Sequence, residues 1–228
     1  MSGTLYVAGD SFACLVKNQP KGNSWSELVA SGLNMDLCNV SRSAASNFSI
    51  AIQVEWIIGR VTKDDLIIVF LTDHKRKTLP DLNVKRDPDK SILELHSLHP
   101  DQRKIKDLNF SDKPRLISSH IHHSGPTKSY YRDWFDEEIQ ELENTYIVTG
   151  MLAKLSKATK NFVVCSGWFG KNATAENFCI PSQNFLNVSA DNLINWSSNS
   201  EYQNHLDDMT HLKFSRLIFN HLRKHQFK

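Results

Sequence analysis

Residues 66–71, LIIVFL, form an almost unbroken apolar run that starts after Asp65 and stops at Thr72 and Asp73. The run is far too short to span a bilayer and lacks the alternation of a strand with one wet face. It fits a strand covered on both sides, which needs a sheet sandwiched between layers of helix. The flanking sequence supplies both. Residues 4–8 are a β-favouring run ending at Gly9-Asp10-Ser11, and residues 35–40 make a second strand. Between them, residues 24–32 read as a helix that Ser24 caps, with Trp25, Leu28 and Val29 on one face. Asn47 is expected to cap the next helix, where Ile50, Val54, Ile57 and Ile58 recur at helical spacing.

Beyond Asp73 the alternation lapses. Residues 75–115 hold eleven Lys/Arg and seven Asp/Glu, interspersed with prolines, and read as a charged surface insertion extending to about residue 125. Residues 129–160 are strongly helical, with Phe135, Ile139, Leu142 and Tyr146 as one stripe and Gly150 as a point of division into two helices. Residues 162–165 and 185–188 complete the strands, and Phe214, Leu217, Ile218 and Leu222 form the inner face of a C-terminal helix. Strands alternating with helices predict a parallel sheet with helices on both sides, in which chemistry gathers at the carboxyl ends of the strands. A length of 228 residues, 40% hydrophobic and 23% charged, fits a single domain spanning 1–228.

Charge and cysteine content narrow the partners. With 27 Lys/Arg against 25 Asp/Glu, a net charge of +2 gives no support to a dedicated nucleic-acid binder, although the C-terminal helix is locally basic. No apolar run is long enough for a membrane span. The N-terminal residues read as a core strand and not as a signal peptide, so the expected location is cytoplasmic, with Cys14, Cys38, Cys165 and Cys179 as free thiols. Six N-x-S/T sequons, at Asn39, Asn47, Asn109, Asn172, Asn187 and Asn195, read as chance in a chain rich in Asn and Ser. No P-loop and no G-x-G-x-x-G is present, so no nucleotide cofactor is expected.

Two short motifs carry chemistry. Gly9-Asp10-Ser11 follows the first strand, where a serine is exposed beside backbone N–H groups able to stabilise an oxyanion. Asp208-Met209-Thr210-His211 opens the last helix. A serine nucleophile needs a base and the base needs an orienting group, and an Asp three residues before a His reaches the imidazole from one short turn. Each motif also has a plainer reading: turn chemistry for the first, and for the second a helix cap from Asp208 or Thr210 with His211 exposed.

Taken together, the motifs resemble the SGNH (GDSL-type) hydrolases, a family of esterases, lipases and carbohydrate deacetylases. The resemblance implies a flavodoxin-like, three-layer α/β/α sandwich with a five-stranded parallel sheet and no cofactor. It makes Ser11 the nucleophile, His211 the base and Asp208 its orienting acid. In the family's second block, N-x-x-x-x-G, Asn39 matches and Ala44 stands where an oxyanion-hole Gly belongs. The third block, G-x-N-D, is altered to Leu71-Thr72-Asp73-His74, so the side-chain donor to the oxyanion is Thr72, or His74 if the alignment moves by one. The implied substrate is a small-molecule, carbohydrate or lipid ester. The altered block also suits a weak or inactive relative that serves as a binding module in a larger assembly.

Other candidates are weaker. His120, His122 and His123 suggest a metal site but lack a carboxylate or Cys at ligand spacing, so no metal is expected. His205 with Asp207 is a competing base–acid pair in the wrong order, and His96 and His99 fall in the insertion. Tyr130, Tyr131, Trp134 and Phe135 are aromatic enough to line a groove, though such spacing more often marks core. The surplus of positive charge in 75–115 would steer an anionic substrate, with a solvated loop as the simpler reading.

Overall fold

A computed structural model describes residues 3–13, 22–42, 45–79, 117–118, 135–170, 172–189 and 206–227. The main sheet has five parallel strands: β1 (Thr4–Ala8), β2 (Asp36–Asn39), β3 (Leu66–Phe70), β6 (Phe162–Gly167) and β7 (Phe185–Ser189), in the order β2-β1-β3-β6-β7. Two further strands, β4 (Thr78–Leu79) and β5 (Ile117–Ser118), pair antiparallel within the charged insertion. The described helices are α1 (Trp25–Leu33), α2 (Asn47–Ile58), α3 (Glu137–Ala158) and α4 (Asp208–Lys224). The α/β sandwich expected from the strand–helix alternation is the observed architecture.

β3 shows why an unbroken apolar run is needed. Leu66, Ile68 and Phe70 pack with Trp25, Val29, Phe214 and Ile218 on the α1/α4 side. Ile67, Val69 and Leu71 pack with Ile50, Val54, Val148 and Leu152 on the α2/α3 side. Every residue of β3 is buried. The chain runs from β1 out to β2 and then crosses back to β3 on the other side of β1. The strand order therefore reverses between β1 and β3, the position at whose carboxyl side open α/β sheets take their ligands.

Four local expectations are corrected. Ser46, not Asn47, is the N-cap of α2, its side chain accepting from Ser49 N–H. Gly150 lies inside the continuous helix α3 and divides nothing. The Ile139, Leu142 and Tyr146 stripe faces outward, at 60%, 55% and 71% exposure, while Gln140 and Asn144 turn inward. Asn144 is turned inward because its amide bonds the buried His74 carbonyl. Asp207, not Asp208 or Thr210, caps α4, accepting from Thr210 N–H at 2.8 Å, and His211 is buried. Ser24 caps α1 as expected, in a capping box with Glu27. The sequons at Asn39 and Asn47 are buried, which agrees with the chance reading at those two sites. Cys38, Cys165 and Cys179 are free thiols; Cys14 lies outside the described residues.

Candidate active site

The turn after β1 is held from three sides. Gly9 is clamped by the Gln53 amide, donating its N–H to Oε1 at 2.8 Å and accepting from Nε2 at 3.2 Å. A Cβ on Gly9 would lie 2.8 Å from Ala13 Cβ and 3.0 Å from Phe70 Cβ, so only glycine fits this close approach of β1 to β3. Asp10 is fully buried and folds back on its own turn: Oδ1 accepts Phe12 N–H at 3.0 Å. Its Oδ2 accepts the Thr72 hydroxyl at 2.7 Å and Arg76 Nη1 at 3.0 Å. Burial pushes the Asp10 carboxyl above its ordinary value, and Arg76, Phe12 N–H and Thr72 partly offset that push. Ser11, the next residue, is half-buried.

The β2 loop docks on the same turn. Asn39 Nδ2 donates to Ala13 C=O at 2.7 Å and its Oδ1 accepts Ser41 N–H at 3.0 Å, while Arg42 N–H reaches Gly9 C=O at 3.0 Å. Ala44 lies outside the described residues. The β3 loop is tied to α2 and α3 by side-chain amides. Asn47 accepts Thr72 N–H at 3.1 Å and donates to Thr72 C=O at 3.0 Å and to Asn144 Oδ1 at 3.1 Å. Asn144 in turn donates to His74 C=O at 2.9 Å. These bonds explain why α3 turns Asn144 inward.

Both candidates for the side-chain oxyanion donor are engaged elsewhere. The single hydroxyl proton of Thr72 goes to Asp10, and His74 Nδ1 donates to Phe169 C=O at 3.0 Å. His74 Nε2 is buried without a hydrogen bond, 3.6 Å from Glu137 Oε1.

His211 lies in the first turn of α4, whose N-terminus meets that of α1. Its Nδ1 accepts Trp25 N–H at 3.2 Å, so the neutral ring carries its proton on Nε2. The indole N–H of the same Trp25 donates to Phe12 C=O at 2.9 Å. Trp25 thus links the residue after Ser11 to His211. No hydrogen bond joins Ser11 to His211 among the described residues. Asp208 is an exposed residue of the first helical turn, and Asp207 is the buried neighbour.

Sequence reasoning singled out Ser11 and the α4 terminus as candidates but gave no part to the Asp10 carboxylate, the Trp25 N–H groups or Arg76 in the bonding around them. Arg76 was hidden in a run of three cations, Lys75-Arg76-Lys77, that looked like the start of a solvated insertion. Among the described residues no group of three His, Cys, Asp or Glu side chains is placed to hold a metal, and the 120–123 histidines, His205, His96 and His99 lie outside them. No described helix is long and apolar enough to cross a membrane.

No family model and no curated protein matches the chain. Several solved structures are similar to it. The psychrotrophic esterase EstA from Pseudoalteromonas sp. aligns at 8% identity over 97% of both chains, with a TM-score of 0.48. A member of the lipolytic G-D-S-L family from Veillonella parvula aligns at 10% identity over 97% of this chain and 96% of its own, with a TM-score of 0.48. The acetyl xylan esterase Est2A from Butyrivibrio proteoclasticus aligns at 12% identity and a TM-score of 0.48, over 98% of this chain and 64% of its own.

Proposed function

We propose that the chain is a serine hydrolase that cleaves a small-molecule, carbohydrate or lipid ester by acyl transfer to water. Ser11 Oγ attacks the ester carbonyl, His211 takes its proton and Asp208 steadies the imidazole. Collapse of the tetrahedral intermediate expels the alcohol, which His211 protonates. Water, activated by the same base, then releases the acid and regenerates Ser11. The backbone N–H groups of Ser11 and Ala44 serve as oxyanion donors.

The observation that carries this reading is the Trp25 bridge, which ties Phe12 beside the nucleophile to His211 across two helices. The bridge also sets the first step. A base needs a lone pair on the nitrogen that faces Ser11, and with Nδ1 held by Trp25 the neutral ring is in the other tautomer. The cycle therefore starts with His211 releasing Trp25 N–H and turning, after which Nδ1–H is free to donate to Asp208. The need for that turn, and the commitment of Thr72 to Asp10, make the proposed enzyme slow. Loss of one oxyanion donor alone costs on the order of 10²–10³ in rate.

The same two observations favour a second reading, a binding module on this fold with little or no turnover. The two readings separate on incubating wild type and Ser11→Ala with a fluorophosphonate probe and an activated acetyl ester. An adduct on Ser11, with turnover lost in the variant, supports the hydrolase. Folded wild type that neither labels nor differs from the variant overturns it in favour of the binding module.

A further inference from the structure

A cavity of about 220 Å³ lies beside the Asp10–Arg76 pair, lined by Ser46, Phe48, Arg76, Lys77, Gln140 and Ile147 among others. We propose that it is a carboxylate-binding subsite, in which Arg76 and Lys77 hold an acid group on the substrate and Phe48 and Ile147 flank its hydrocarbon part. Taken as part of the Ser11 site, this rests on the hydrolase reading and makes the substrate an ester that carries a free carboxylate.

The guanidinium of Arg76 is half used. Its hydrogen bonds run through Nη1, to Asp10 at 3.0 Å and to Ala45 C=O at 3.4 Å. Its Nε is buried with no partner. In a planar guanidinium Nε–H and Nη2–H point the same way and form the fork that grips a carboxylate with two parallel hydrogen bonds. A buried N–H left unmet is costly, so the site favours an incoming acceptor. Asp10 holds the guanidinium in place from the other side, so little side-chain freedom is lost when the fork is used.

The surroundings suit the same ligand. Lys77 brings a second positive charge to the wall. Its ion pair is with Glu143, whose side chain is 46% exposed, and such solvated pairs are weak enough for a ligand carboxylate to compete. Ser46 caps α2, so the positive end of that helix faces the cavity. Phe48 is 40% exposed, an apolar surface that a short methylene chain would cover. The volume is enough for a small dicarboxylic acid.

Glutarate and its dimethyl ester are the probes, titrated by calorimetry into Ser11→Ala protein so that no turnover intervenes. Glutarate is expected to bind at least about tenfold more tightly than the diester, with affinity falling as salt rises. Arg76→Lys keeps a charge for Asp10 but removes the fork, and Lys77→Met removes the second charge at a partly exposed position. Each is expected to weaken glutarate about tenfold in protein that remains folded by circular dichroism. Equal binding of acid and diester, or no binding of either, overturns the subsite. In wild type, the kcat/KM ratio of a hemiglutarate ester to a neutral valerate ester is expected to exceed one and to fall in Arg76→Lys. Glutarate binding with no turnover of either ester upholds the carboxylate site and overturns the hydrolase. Turnover of both esters without preference and without glutarate binding does the reverse.

Discussion

The Asp10 carboxylate and the Arg76 guanidinium meet at 3.0 Å, with Asp10 wholly out of solvent and the Arg76 side chain 11% exposed. The pair joins the β1 turn to the β3 loop, and through the Ala45 carbonyl it reaches the β2 loop as well. The three loops at the point of strand-order reversal are thus fastened to one guanidinium. Because Asp10 Oδ1 also receives Phe12 N–H, the shape of the Ser11 turn depends on the charge state of this carboxylate.

Arg76→Met should therefore be strongly destabilising at neutral pH, by about 3–5 kcal/mol, since it strands a buried charge. The pH dependence has a definite sign. Asp10 is raised above 3.8 in the folded protein, so its contribution to stability is fully present below that value and is lost as pH rises through the folded one. Removing Arg76 takes away a lowering influence and raises Asp10 further. The destabilisation should be largest at pH 8 and should shrink towards pH 4 as Asp10 takes up its proton. Adding Asp10→Asn to Arg76→Met should recover part of the loss at pH 8. Urea titrations at the two pH values measure all three effects.

Trp25→Phe keeps most of the ring packing against Phe214 but deletes the indole N–H that meets Phe12 C=O. Loss of that hydrogen bond should cost about 0.5–1.5 kcal/mol. If the bridge positions Ser11 and His211 for reaction, fluorophosphonate labelling of folded Trp25→Phe should also be slower than that of wild type.

The parts of the fold that the sequence made legible are those with local causes. The apolar run of β3 needs two covered faces, and Ser24 and Glu27 lie at capping-box spacing. The parts that stayed hidden depend on partners far away in the chain. Asn47 looked like a cap because caps are made by such residues, but its amide is spent on Thr72, 25 positions on, and Asn144, 97 positions on. Ser11 and His211 were legible as types at the ends of elements, whereas the direction His211 Nδ1 faces depends on Trp25, 186 positions away. Arg76 could not be told from Lys75 and Lys77 without knowing which side chain finds a buried carboxylate.

Helix α3 offers a direct comparison of pattern with structure. Ile139→Lys and Leu142→Glu change exposed positions and should alter stability by no more than about 0.5 kcal/mol. Asn144→Leu is apolar and similar in size, yet it leaves His74 C=O without its side-chain partner and removes one of the bonds of the Asn47 amide, and should cost about 2 kcal/mol or more. Leu152→Ala, in the core proper, should cost about 2–5 kcal/mol. A sequence reading that buries the Ile139 stripe predicts the opposite order for the first three, and urea midpoints decide between the two.

Two adjacent carboxylates at the start of α4 can be separated by their effects. Asp207 bonds Thr210 through both N–H and hydroxyl, at 2.8 and 2.6 Å, so Asp207→Ala should lose a cap and about 1 kcal/mol of stability. Asp208 is an exposed first-turn residue that serves the helix through its dipole alone, so Asp208→Asn should cost about 0.3–1 kcal/mol at most. In the proposed reaction the order reverses. Asp208→Asn should lower kcat by roughly 10³–10⁴-fold, because the imidazolium loses the carboxylate that steadies it. Asp207→Ala should act on turnover only as far as it loosens the helix. If Asp207→Ala abolishes ester hydrolysis in folded protein while Asp208→Asn keeps it, the orienting acid is Asp207, and the D-x-x-H spacing that singled out Asp208 is coincidental.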